Sequence, residues 1–213
     1  MKIKTFTFNP LQENTYLVYD ETNEAAVIDA GCLSDVEKHE LKRFIDDNKL
    51  TLKRVLNTHL HFDHQFGNRF LYTTYGIKPE AGIEDEYLLE NVVSQARSFG
   101  LATGEEAQPL GGYITDQQEL KFGNTSMIAY HVPGHSPGSM ALYVEKEGVV
   151  FSGDVLFRGS IGRTDLPKGD YTTLIHSITK KLLPLPDSTV VYSGHGPSTT
   201  VGFEKYNNPF VTL

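Results

Sequence analysis

Within seven residues the chain places Thr58-His59-Leu60-His61-Phe62-Asp63-His64. His59 and His61 are two apart, so in extended backbone their imidazoles point to one side and can grip one cation. Asp63 and His64 fall past a turn and can face a neighbouring position. Three later segments share another pattern, an apolar strand running through Gly into a ligand-type residue. They are Val132-Pro133-Gly134-His135, Phe151-Ser152-Gly153-Asp154 and Tyr192-Ser193-Gly194-His195. Glycine lets a backbone turn sharply and approach closely, and functional groups often sit on such loops above a rigid scaffold. Together these segments offer five His and two Asp. Neutral imidazole and carboxylate suit Zn²⁺, with Fe²⁺ or Mn²⁺ as alternatives. The 213 residues include eight His but one Cys, which excludes a disulfide framework and any Cys-rich zinc module. A formal net charge of −8 weighs against non-specific binding to nucleic acid or to an anionic membrane.

The elements that must hold these residues are mostly strands. Ile3 to Phe8, Thr15 to Tyr19 and Ala25 to Ile28 read as a three-strand meander. Ser34 and Glu37 have capping-box spacing, which predicts a helix with Val36, Leu41, Phe44 and Ile45 on its apolar face. Leu52 to Thr58 reads as a strand feeding the first His run. A second helix is expected from about Glu84 to Phe99, with Leu89, Val92, Val93 and Ala96 as its stripe, and a loop from Gly100 to Gly112. Strands follow at Ser126 to Val132, Ala141 to Glu145 and Val149 to Ser152. A third helix spans Tyr171 to Leu182, with Tyr171, Leu174, Ile175, Ile178 and Leu182 on one side. The last strand is Thr189 to Ser193. Helices between strand groups predict an α/β or α+β layered architecture. The strands ending in Asp29-Ala30-Gly31, Gly153-Asp154 and Gly194-His195 echo one another weakly, as two related halves would.

The His-x-His-x-Asp-His run of residues 59–64, with His135, Asp154 and His195 following in this order, resembles the metallo-β-lactamase superfamily over nearly the whole chain. The resemblance implies an αββα sandwich with its metal site at one edge of the sheets. Asp29 matches the superfamily's early structural Asp, which supports the site without ligating. Lactam-hydrolysing members with two zincs carry Cys where this chain has Asp154, and Asp154 resembles instead the glyoxalase II branch, whose substrates are glutathione thioesters. By that resemblance His59, His61 and His135 hold one metal, Asp63, His64 and His195 hold a second, and Asp154 bridges them. Gly159-Ser160-Ile161-Gly162-Arg163-Thr164-Asp165-Leu166 looks like the short bacterial glyoxalase II-like hydrolases, and is also similar to persulfide dioxygenases, which use one iron in the same scaffold. Arg163 falls where longer glyoxalase II enzymes have a glutathione-binding Lys. The Tyr that follows there, and their C-terminal helical domain, are missing here. The expectation is a single domain over residues 1–213.

The chemistry expected is hydrolysis of a small-molecule thioester by a hydroxide bridging two divalent metal ions. Asp63 would orient that hydroxide, and Asp63 and Asp154 are the catalytic candidates. A thiolate, whose conjugate acid has a pKa of about 8.5, leaves without a general acid. A mononuclear iron dioxygenase acting on persulfides is the alternative, and a metal-bound binding or redox module is the third reading. Arg163 is the candidate for binding an anionic part of the substrate, against a salt bridge to Asp165 or Asp170. His39 and His176 read as solvated. His131 either supports the site or is a plain strand residue, and Cys32 either lines the pocket or is a small buried hydrophobe. The N-terminus lacks the apolar core of a signal peptide and no stretch approaches a membrane span, so a cytoplasmic protein without a membrane or nucleic-acid partner is expected.

Overall fold

The structure is a computed structural model and describes residues 1–101 and 106–211. The opening meander forms as expected: β1 (Lys2–Phe8), β2 (Glu13–Tyr19) and β3 (Glu24–Ile28) pair antiparallel in order. Helix α1 (Asp35–Asp47) then carries the chain over to β4 (Thr51–Leu56), which pairs parallel to β3. Helix α2 (Asn68–Tyr75) leads to β5 (Pro79–Ala81), and α3 (Val92–Ser98) precedes β6 (Gly112–Tyr113). These six strands form the first sheet in chain order.

The second sheet repeats the plan. β7 (Glu119–Phe122), β8 (Thr125–His131), β9 (Met140–Val144) and β10 (Val149–Gly153) make an antiparallel meander. β11 (Leu156–Phe157) and β12 (Ser160–Ile161) form a small hairpin, and α4 (Tyr171–Ser177) crosses over to β13 (Val190–Ser193), which lies parallel to β10. β14 (Thr199–Thr200) closes the edge ahead of α5 (Val201–Asn207). The weak echo between strand ends thus corresponds to two six-stranded sheets, each built from one half of the chain.

Strand alternation explains the layering. Tyr16, Val18, Ala26 and Ile28 of the first sheet meet Met140, Leu142, Val149 and Phe151 of the second in one central core. The intervening residues Leu17, Ala25 and Val27 face the other way, onto Leu41 and Ile45 of α1 and Leu71 of α2. Likewise Ala141, Tyr143 and Val150 face Leu174 of α4 and the turn that follows it, Ile178–Leu182. Strands buried on both faces read as near-continuous apolar runs, as these do. The result is the expected α/β sandwich of two sheets covered outside by helices.

Some expectations are corrected. Val36 is 78% exposed, because five residues of helix rotate it about 140° away from Leu41. Tyr171, at the first position of α4, is also exposed, and the helix continues over Ile178–Leu182 in wider π-helical turns. The helix expected over residues 84–99 is two pieces: a 3₁₀ stretch, Ile83–Asn91, and then α3. Its buried stripe is Asp85, Leu88, Val92 and Ala96, so Leu88 takes the place assigned to Leu89. The expected loop after Gly100 falls partly outside the described residues. Among the described residues no helix is long and apolar enough to cross a membrane.

Candidate metal centre

The candidate residues converge because their strands run the same way. β8 and β10 are each antiparallel to β9, and β13 is parallel to β10, so His135, Asp154 and His195 leave the second sheet at one edge. The two sheets are tied together there. Met140 N donates to the Thr58 carbonyl, Asn14 N donates to the Gly194 carbonyl, and Glu13 bridges to His195. Residues 59–64 leave β4 at this same edge.

All seven candidates come together. His59, His61 and His135 place ligand atoms within 4.8 Å of one another, and so do Asp63, His64 and His195. Asp154 lies between the groups, with Oδ1 at 3.5 Å from His64 Nε2 and Oδ2 at 3.7 Å from His135 Nε2 and 3.6 Å from His195 Nε2. Asp63 Oδ2 is 3.2 Å from His195 Nε2 and 3.7 Å from His64 Nε2.

Hydrogen bonds outside this cluster set which ring nitrogen faces inward. His135 Nδ1 donates to the Arg163 carbonyl at 2.8 Å and His195 Nδ1 to the Leu11 carbonyl at 3.1 Å. Asp29, held at φ +52°, accepts Thr58 N at 2.7 Å and the Thr58 hydroxyl at 2.6 Å. With that hydroxyl proton spent, Thr58 Oγ1 accepts from His59 Nδ1 at 3.1 Å. Asp29 Oδ2 also lies 3.2 Å from His64 Nδ1. Asp29, with His59 and His64, is a third group close enough to hold an ion, but both its oxygens are engaged by Thr58.

The Nε2 atoms of His59 and His64 and Asp154 Oδ1 are buried without any hydrogen-bond partner. Buried polar atoms are rarely left so, and unpartnered atoms in both groups and on the carboxylate between them fit cation ligands. The electrostatics agree. Burial, reinforced by the neighbouring imidazoles, holds His59 well below its usual range and His61 down to about 3, so both stay neutral with lone pairs free. Burial would also lower His64, but Asp63, Asp154 and Asp29 outweigh it and raise its pKa. Burial would raise Asp154, and the surrounding histidines instead hold it well below the carboxylate range. The cluster thus sets neutral His59 and His61 beside a half in which the carboxylates of Asp63 and Asp154 draw positive charge onto His64 and His195.

Glycine makes two of these placements feasible. Gly153 sits at φ +51° with Thr58 Oγ1 2.2 Å from where a Cβ would lie, and at Gly194 a Cβ would be 2.2 Å from Asp154 Oδ1. Among the other sequence candidates, Arg163 lines the cavity above the cluster, but its guanidinium is paired bidentately with Asp165 at 2.7 and 2.8 Å. His131 contacts the Pro137 carbonyl at 2.8 Å, in the loop that carries His135. His39 and His176 are exposed and Cys32 is buried in the apolar core under α1.

Three buried polar residues escaped the sequence reading. Glu13 lies fully buried with Oε1 4.0 Å from His64 Nδ1, and burial raises its pKa. Asn57 donates to the His64 carbonyl at 2.7 Å. Asp85 accepts from Leu60 N at 3.1 Å and, on the other side of the site, from Ser136 Oγ at 2.7 Å and Gly138 N at 2.6 Å. Each is an isolated polar residue with no ligand spacing to mark it.

A family model of the metallo-beta-lactamase superfamily matches residues 8–195. The chain belongs to that superfamily. It is 39% identical over 212 residues to hydroxyacylglutathione hydrolase GloC of Haemophilus influenzae, covering 99% of this chain and 98% of that protein. The crystal structure of BLEG-1 B3 metallo-beta-lactamase superposes with a TM-score of 0.88 at 38% identity, covering 100% of both chains. That of TTHA1623 in a di-iron-bound form gives 0.86 at 39% identity, covering 97% of this chain and 99% of that one. This metallo-beta-lactamase superfamily chain therefore has the metallo-hydrolase fold together with His/Asp clusters that could hold metal ions.

Proposed function

We propose that the chain hydrolyses thioesters at a two-metal centre, with hydroxyacylglutathione-like compounds as the first substrates to try. The observation that carries this is the paired donor groups with Asp154 between them, opening on a cavity of about 250 Å³. The 39% identity to a hydroxyacylglutathione hydrolase over almost the full length of both chains supports the substrate class.

In this reading His59, His61 and His135 hold one ion, Asp63, His64 and His195 hold the other, and Asp154 serves both. When bound, a pair of divalent ions supplies hydroxide at neutral pH and draws electrons from a carbonyl oxygen. The chain's own residues do the rest. The Leu11 and Arg163 carbonyls and Asp29 fix the histidine tautomers, as such partners do around ligating imidazoles. Asp63 reaches the cavity and orients the attacking water by accepting its hydrogen bond. Asp154 keeps the two halves of the centre in register. Among the described residues lining the cavity there is no Lys, Tyr or Cys to protonate a leaving amine. A departing thiolate needs no such donor.

The test is metal content of protein purified without added metal, then hydrolysis of S-lactoylglutathione, a chromogenic β-lactam and a glutathione persulfide by the loaded protein. Two ions per chain and thioester turnover are expected. His59→Ala and Asp154→Asn are expected to lose metal and to cut that turnover by roughly a hundredfold or more. Full activity in either variant, or turnover of the lactam or persulfide alone, would overturn the reading.

A further inference from the structure

One wall of the cavity is apolar, and it belongs to a cluster separate from the main core. Phe62 and Phe66 pack with Val92 and Ala96 of α3, with Leu11 partly buried against them. Phe62 and Phe99 stack at an angle, their ring centroids 5.0 Å apart, and both line the cavity beside Leu11 and Leu166. Phe62 is nearly buried, but Phe99 is 44% exposed. The exposed face of Phe99, continuous with Leu11, Phe62 and Leu166 at the mouth of the site, is apolar surface that a bound apolar group would take out of water.

Two cations near the mouth, Arg163 and Lys168, have partners within the protein. Beside the histidines of the centre, Arg163 is the basic side chain among the described lining residues, and Asp165 holds it in two hydrogen bonds. Lys168, two residues beyond Leu166, keeps its ammonium 3.5 Å from the centroid of the Tyr87 ring. The wall of Leu11, Phe62, Phe99 and Leu166 therefore offers apolar contact area and carries no charge of its own.

Building on the thioester reading, we infer that the substrate is a thioester with an apolar group, branched or aromatic, that lies against Leu11, Phe62, Phe99 and Leu166. That group is carried either by the acyl half or by the thiol half. Pockets of this kind discriminate by the apolar area they cover, and a group of a few carbons is worth about tenfold or more in kcat/KM.

Two substrate series on the metal-loaded full chain separate the sources. The first varies the acyl group (acetyl, isovaleryl, benzoyl) on N-acetylcysteamine. The second keeps acetyl and varies the thiol (glutathione, N-acetylcysteamine, benzyl mercaptan). A rise of about tenfold in kcat/KM along the first series assigns the wall to the acyl group, and along the second to the thiol. Either rise is expected to shrink severalfold in Phe99→Ala and in Leu166→Ala, read as the ratio of largest to smallest substrate so that a general loss of activity cancels. Flat profiles in both series, or a ratio unchanged in both variants, would overturn the inference while leaving thioester hydrolysis intact. No turnover of any thioester would overturn both.

Discussion

At the scale of single residues, the centre depends as much on what is missing as on what is present. Gly194 has no side chain, so Asp154 Oδ1 and His64 Cε1 can sit 2.2 and 2.6 Å from where a Cβ would be. Neither neighbour is the free end of a flexible chain. Gly194→Ala is therefore expected to displace Asp154 or His64 and to lower bound metal below two ions per chain. Metal analysis beside an unchanged far-UV circular dichroism spectrum checks this. Gly196 is the contrast: its φ is +71°, yet nothing lies within 4 Å of its added Cβ. There the cost of substitution is backbone strain, and at Gly194 it is collision.

At the scale of elements, Asp85 gives the 3₁₀ stretch its role at the centre. Its carboxylate reaches the backbone of Leu60 and of Gly138 at once, and Asp85 and Leu88, three apart in Ile83–Asn91, lie on the same buried side. This brace joins the loop of His59 and His61 to the loop of His135. In Asp85→Asn either orientation of the amide sets an N–H against an N–H or O–H donor. A buried donor left unmatched costs about 1–3 kcal/mol, a fall of several degrees in Tm for a chain of this size. Affinity at the His59, His61 and His135 group should drop about 10–100-fold, as it does when partners behind ligands are lost. Competition with a chromophoric chelator measures that. Unchanged metal affinity would reduce Asp85 to a fold-stabilising residue.

At the scale of the whole molecule, each half of the chain makes its own sheet, and the centre sits at the seam. Asp29, Asp63, Asp154 and Glu13 bring four acids to that seam, all but Asp154 below 10% exposed. Ions bound there stabilise the fold because they bind the native state and not the unfolded one, by about 4 kcal/mol at a thousandfold excess over Kd. Stripping with EDTA is therefore expected to lower Tm, with recovery on adding back Zn²⁺, Fe²⁺ or Mn²⁺. The extent of recovery with each metal ranks their affinities for the centre. A Tm indifferent to chelation would show that the acids are balanced within the protein.

Sequence by itself determined which atoms could meet a metal, because imidazole and carboxylate at short spacing, after apolar strands and glycine, have few other uses. It also determined the layers, since helices falling between groups of apolar strands must cover a sheet. The short strands β5, β6 and β14 were invisible, because two or three residues carry no periodicity and form only where a neighbour supplies hydrogen bonds. The same reason hid Glu13, Asn57 and Asp85, whose partners are up to 53 residues away along the chain. Tertiary structure decided which histidines Asp29 stands behind, that Arg163 pairs with Asp165 and not Asp170, and that an apolar wall faces the centre. The first and last are matters of which surfaces meet, because spacing along one chain does not encode distance between two sheets, and the Arg163 pairing is set by the conformation of its loop.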